Sequence, residues 1–255
     1  MNFKRRISVN EIKITYIANA GIMITGAEKK ILIDGIHSFE PFGFSPVPAT
    51  VLNHIIEGQG IYEDIDYLLF THCHKDHFNK DKLTDYCLLN TPQMLVLPKD
   101  GSSLENITGH ITFLDMELWA EKIILEENDL KLIAYKTIHD GKDYRNVDHY
   151  VYQINLLEHH ILVMGDTDFR CPELETMLAN QSIDILIVNW LFLNNRIGRA
   201  FINKVNPQQL LIYHLPFENE DRYNYIKIAK SDLKKHQSEI PKTTLLLSCE
   251  EFIMV

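Results

Sequence analysis

His72-Cys73-His74-Lys75-Asp76-His77 is the stretch on which the reading of this chain turns. Three imidazoles and a carboxylate fall within six positions, a density of transition-metal ligands that packing alone rarely produces. Neutral imidazole nitrogens suit zinc and its neighbours, and a carboxylate beside them binds a metal or orients its water. The bland alternative is a polar turn that happens to be rich in histidine. It loses ground because further ligands stand elsewhere in the chain.

Working outward, each of those ligands follows an apolar, strand-like run. Leu68-Leu69-Phe70 leads to His72, and Leu132–Ile138 leads to His139. Ile161–Gly165 leads to Asp166, and Leu210–Tyr213 leads to His214. Strand ends that hand over to loops are where α/β proteins place ligand sites. Around them the pattern predicts strands at 12–17, 21–25, 31–34, 65–70, 94–97, 122–125, 130–138, 147–157, 160–164, 184–188, 209–213 and 243–247. Helices are predicted at 49–57, after Asn79 to about 89, at 172–180, at 196–205 and at 220–238. Strands cluster first and β-α alternation comes later, which points to one α/β-type domain over residues 1–255, built on large sheets.

Composition narrows the class. The chain has 255 residues, 45% of them apolar, enough for a sizeable core. Its formal net charge of −10 argues against a nucleic-acid binder. Lys4-Arg5-Arg6 is the one tight basic cluster and reads as a solvated terminus. No run reaches the length of a membrane span, and the first twenty residues lack a signal-peptide core. Cys73, Cys87, Cys171 and Cys249 are scattered without a CxxC pair. A reduced, cytoplasmic protein is expected, so the glycosylation-type triplet Asn106-Ile107-Thr108 reads as chance.

The ligands divide into two sets. His72, His74 and His139 would give one metal three nitrogens and an open position. Asp76, His77 and His214 would hold a second, with Asp166 bridging both.

His72-Cys73-His74-Lys75-Asp76-His77 also resembles the HxHxDH signature of the metallo-β-lactamase-fold metallohydrolases. Gly165-Asp166-Thr167 resembles their bridging-Asp motif, and His139 and His214 follow in the family's order. Asp34, closing Ile31-Leu32-Ile33, resembles the early Asp that buttresses the metal loop without binding metal. The resemblance runs from about Ile12 to His214. It implies an α/β (α+β) fold, a four-layer αββα sandwich with a dimetal site at one edge of two facing sheets. An Asp rather than Cys at 166 disfavours antibiotic cleavage, and His rather than Glu at 74 disfavours diiron redox chemistry. The chain is similar to compact bacterial members grouped with ascorbate-6-phosphate lactonase-like hydrolases.

The expected function is that of a dinuclear hydrolase with two Zn2+, Mn2+ or Fe2+ being the alternatives. A metal-bridging hydroxide would cleave a lactone or other ester in a small molecule. Asp76 is expected to align the hydroxide as well as bind metal. His149 is read as a proton donor to the leaving group or a substrate contact, as a ligand in place of His139, which its shorter sequence distance to Asp166 disfavours, or as a structural histidine. His37, Asn189 and Trp190 are candidates for the pocket wall, Trp190 being otherwise a core residue, and Phe39, Phe42 and Phe44 either form an apolar lip or pin their loop to the core. A phosphodiesterase or nuclease of the same fold is the competing enzyme, and a non-catalytic metal-binding or redox protein is the competing class.

Overall fold

The computed structural model describes residues 11–40, 42–101, 109–179 and 181–255. The basic cluster at 4–6 and the triplet at 106–108 lie outside them. Six strands come first: β1 (Lys13–Ala18), β2 (Gly21–Gly26), β3 (Lys29–Ile33), β4 (Tyr67–Leu69), β5 (Met94–Pro98) and β6 (Ile111–Leu114). Helices α1 (Ala49–Ile56) and α2 (Lys80–Leu89) interrupt them. The second half supplies β7 (Glu121–Glu126), β8 (Leu130–Thr137), β9 (His149–Leu156), β10 (His159–Val163), β11 (Ile185–Asn189), β12 (Gln209–Tyr213), β13 (Lys242–Leu245) and β14 (Phe252–Met254). Its helices are α3 (Pro172–Leu178), α4 (Trp190–Asn194), α5 (Arg196–Val205) and α6 (Tyr225–His236).

The strands form two seven-stranded sheets, ordered β14-β1-β2-β3-β4-β5-β6 and β13-β12-β11-β10-β9-β8-β7. Side-chain alternation builds the layers, because successive residues of a strand point to opposite faces. In β10 and β11, Ile161, Val163, Ile185 and Ile187 face the first sheet and join its core. Their neighbours Leu162, Leu186 and Val188 turn outward and pack with Leu174, Phe192, Phe201 and Ile202 from α3–α5. With α1 and α2 packed on the first sheet, the order is helices, sheet, sheet, helices, the expected αββα sandwich.

Topology gathers the candidate ligands at one edge. β3, β4 and β5 run parallel, as do β10, β11 and β12. β8 runs the same way as β10, since each is antiparallel to β9. The carboxyl ends of these strands therefore share an edge of their sheets, the place where open α/β sheets bind ligands.

Three elements differ from the sequence reading. β14 is too short for a periodic signal, yet it pairs antiparallel with β1, Lys13 opposite Met254. α4 begins directly on β11, because the Asn189 side chain accepts the Leu191 N–H at 3.2 Å. α6 starts at Tyr225 rather than 220. The Asp221 carboxylate accepts the N–H groups of Tyr225 and Ile226, at 2.8 and 3.0 Å, and Asn224 is left-handed with φ 61°.

Candidate metal centre

The site is built on a buried carboxylate. Asp34 leaves β3 in the left-handed region, φ 49°, which turns its side chain under the loop after β4. Its Oδ1 accepts the Thr71 N–H at 2.8 Å, and its Oδ2 accepts the Thr71 hydroxyl at 2.6 Å. The same Oδ2 lies 2.9 Å from His77 Nδ1. All three residues are fully buried. With Nδ1 donating to a carboxylate, the His77 ring is held with Nε2 aimed at the other ligands. Asp34 thus ties the loop after β4 together through Thr71 and His77.

Two triplets of donors then converge, and a third, of His72, His77 and Asp166, links them. One nitrogen each of His72, His74 and His139 lie within 4.8 Å of one another, as do one atom each of Asp76, His77 and His214. His72 Nε2 and His139 Nε2 are 3.3 Å apart. In the second triplet, Asp76 Oδ2 is 3.9 Å from His77 Nε2 and 3.7 Å from His214 Nε2. Asp166 stands between the two. Its Oδ2 is 3.4 Å from His77 Nε2 and 3.6 Å from His139 Nε2, and its Oδ1 is 3.5 Å from His214 Nε2.

The electrostatics set the carboxylates against the buried imidazoles. Burial pulls His77 downward, but the carboxylates of Asp166, Asp34 and Asp76 hold its pKa well above the usual imidazole value. Burial alone would raise the Asp166 carboxyl, yet His214 and His77 keep it well below the carboxylate range. His72 is lowered by burial and by the neighbouring His77. Nε2 of His77 and of His214 are buried without a hydrogen-bond partner, an arrangement that is costly for a polar atom. Convergent imidazoles beside two carboxylates are the donor chemistry of zinc, manganese and iron sites, so the residues fit a divalent metal pair.

His149 stands elsewhere than a proton donor would. It is fully buried; its Nδ1 lies 2.8 Å from Thr137 Oγ1, and its Nε2 accepts the backbone N–H of Asp166 at 2.9 Å. Both nitrogens are occupied and burial holds the pKa well below its usual value. The proton-donor expectation is therefore corrected: the ring braces the turn that presents Asp166. Gly165 makes this possible, since its φ is +55° and a Cβ there would lie 2.7 Å from His149 Nε2.

His37 is also corrected as a pocket residue. It is fully buried behind the site, with Nε2 3.5 Å from the Ala18 carbonyl. Asn189 and Trp190 do line a cavity of about 410 Å³ that opens over His74, Asp76, Asp166 and His214. Asn189 Nδ2 reaches Asp166 Oδ1 at 3.4 Å.

The structure adds residues that the sequence reading passed over. Asn19, left-handed at φ 47° between β1 and β2, donates from Nδ2 to both the backbone oxygen and Oδ2 of Asp76, each at 3.2 Å. Its carbonyl accepts the His214 N–H at 2.8 Å. Tyr144 places its ring 4.9 Å from that of His74 and 5.2 Å from that of His139. The left-handed turn at Asn19 was the one available signal; Tyr144 carried none.

Comparison with known proteins agrees with this architecture. Residues 13–214 match the family model described as the beta-lactamase superfamily domain. Among solved structures, the chain is similar to Igni18, a metallo hydrolase from the archaeon Ignicoccus hospitalis, at 11% identity and a TM-score of 0.65, covering 96% of this chain and 99% of that one. It is similar to an isothiocyanate hydrolase from Delia radicum gut bacteria, at 15% identity and a TM-score of 0.65, covering 94% and 98%. CmlA, a diiron beta-hydroxylase from Streptomyces venezuelae, aligns at 14% identity and a TM-score of 0.65, over 96% of this chain and 54% of that one. No curated protein matches the sequence. With the αββα sandwich and a family match across most of its length, the chain belongs to the beta-lactamase superfamily.

Proposed function

We propose that this protein is a metal-dependent hydrolase that holds two divalent cations, zinc foremost, and cleaves a lactone or other ester in a small molecule. The observation that carries the reading is the convergence of seven His and Asp side chains into two triplets, with Asp166 between them, at the floor of an open cavity. His72, His74 and His139 are the residues to hold one cation, and Asp76, His77 and His214 the other, with Asp166 shared. Such a pair supplies Lewis acidity and a water of lowered pKa.

The chain's own residues do the rest. Asp76, steadied by Asn19 Nδ2, would hold a cation and align the attacking water. Asp34 and Thr71 hold His77 and the metal loop, and His149 holds Asp166, so that the donors are oriented before substrate arrives. The cavity is that of a small-molecule site in volume, and among the described residues Lys75 is the only Lys or Arg that lines it. A phosphodiester or nucleic acid is disfavoured for that reason. The four cysteines are free, in keeping with a reducing, cytoplasmic location. No helix among the described residues is long and apolar enough to cross a membrane.

The test is elemental analysis of the purified protein with His74→Ala and Asp166→Ala beside it, followed by a panel of lactones, esters, thioesters and phosphodiesters. The expected result is close to two metal ions per chain, loss of metal in both variants, and turnover among the esters. Trace metal unaffected by either substitution would refute the reading.

A further inference from the structure

One wall of the cavity is aromatic, and three separate segments build it. The loop after β3 contributes Phe39, Phe42 and Phe44, the start of α4 contributes Trp190, and Tyr223 and Tyr225 stand behind them. The wall begins at the metal ligands: the Phe44 ring meets the His214 ring edge-on at 4.6 Å. Phe44 then stacks on Tyr225 at 5.3 Å, and Tyr225 packs on Trp190 at 5.4 Å.

The lip is pinned rather than loosely draped. Phe42 and Gly43 are both left-handed, and a Cβ at Gly43 would sit 2.5 Å from the Tyr223 ring. The Tyr225 hydroxyl donates to the Phe42 carbonyl at 3.2 Å. Held this way, Phe39 is 48% and Phe42 is 73% exposed at the mouth of the cavity. Large apolar rings kept out of the core beside a polar floor mark a surface that a ligand covers.

Charge completes the description. The Lys75 ammonium lies 5.7 Å from the centre of the Phe39 ring and, among the described residues, is the only Lys or Arg lining the cavity. Asp76, Asp140 and Asp166 share that lining. The wall offers rings and a single ammonium, so what it adds beside the metal ligands is apolar contact. Ring edges and faces recognise another ring, which gains from offset or edge-on contact beyond the area it buries.

We propose that the substrate is an uncharged ester carrying an aromatic ring, and that the ring binds against Phe42, Phe44 and Trp190 while the ester carbonyl lies over the floor formed by Asp76 and Asp166. The proposal rests on the hydrolase reading above. Water adds to the carbonyl carbon and the bond from that carbon to the alcohol oxygen breaks. The water's two protons are shared between the acid and alcohol products, and no oxidant or reductant takes part.

The experiment compares ethyl phenylacetate, ethyl cyclohexylacetate and ethyl acetate with the metal-loaded protein, and measures phenylacetamide and cyclohexylacetamide binding by saturation-transfer NMR. The expected kcat/KM is roughly fiftyfold higher for the phenyl ester than for acetate, from burial of the ring. It is about fivefold higher than for the cyclohexyl ester, from ring–ring geometry. Trp190→Ala and Phe42→Ala should each cut the phenyl-to-acetate ratio to under about tenfold, chiefly through KM, and weaken phenylacetamide binding in parallel. Equal rates for phenyl and cyclohexyl esters, or a preference that survives both substitutions, would overturn the proposal. If no ester turns over, the hydrolase reading falls, and phenylacetamide decides the wall separately. Binding lost in both variants upholds the ring site, and absence of binding to the native protein overturns it.

Discussion

Asn19 touches two members of the second triplet at once, through its side chain to Asp76 and its carbonyl to His214. Asn19→Gly keeps the left-handed turn and the carbonyl while removing the carboxamide. The expected outcome is a 10–100-fold weaker second metal equivalent, with the first equivalent little changed, measured by calorimetric titration of the apo-protein. His37 yields a pH prediction. Burial, aided by the charge on His77, lowers its pKa to about 3, while Asp76 opposes and His214 adds to the shift. An unfolded histidine titrates near ~6.5. Between those values the unfolded chain takes up a proton that the folded chain refuses, so stability contributed by neutral His37 is complete above pH ~6.5 and is lost as pH falls toward 3. Unfolding free energies from urea titrations at pH 7 to 5 should fall less steeply for His37→Gln, by at most about 1.4 kcal/mol per pH unit.

At the level of elements, α4 and α5 meet with almost no separation. A Cβ at Gly198 would stand 2.4 Å from the Phe192 carbonyl oxygen and 2.5 Å from its Cα, both of them backbone atoms that cannot swing aside. Gly198→Ala is expected to cost about 2–3 kcal/mol in denaturant unfolding, against the small gain that alanine brings to an open helix. Such contacts also explain what could be read beforehand. α5 carries its own cap, Asn195, and was legible over its full length. The central strands of the second sheet, β8 to β12, were legible because apolar side chains line both of their faces. α4 was not, because five residues of Trp-Leu-Phe-Leu-Asn look like the tail of β11 until Asn189 turns to cap them. For His72, His139, Asp166 and His214, strand-end position and family order suggested one cluster, and the structure brings their side chains together. For His149 they were not enough: a buried brace and a catalytic acid are the same residue type at the same strand end, and only Thr137 and the Asp166 N–H tell them apart.

Across the whole molecule, the ligands are shared between the two sheets. His72, His74, Asp76 and His77 hang from the first, and His139, Asp166 and His214 from the second. The chain crosses from the first sheet to the second between β6 and β7, through residues 115–120, and returns between β13 and β14 to pair with β1; neither connection carries any of the seven. Cutting between β6 and β7 would leave each half with part of both triplets and neither half with a complete one. The protein is thus already divided like a two-part reporter, whose halves have a shared reason to associate when a divalent metal is supplied. Co-expressed fragments ending at 116 and beginning at 117 are expected to copurify with metal present and to separate on chelation, as read by size-exclusion chromatography. Persistent association after the metal is stripped would mean that the apolar faces suffice to join them. In that case the cations serve the chemistry alone, and the sandwich owes them nothing for its closure.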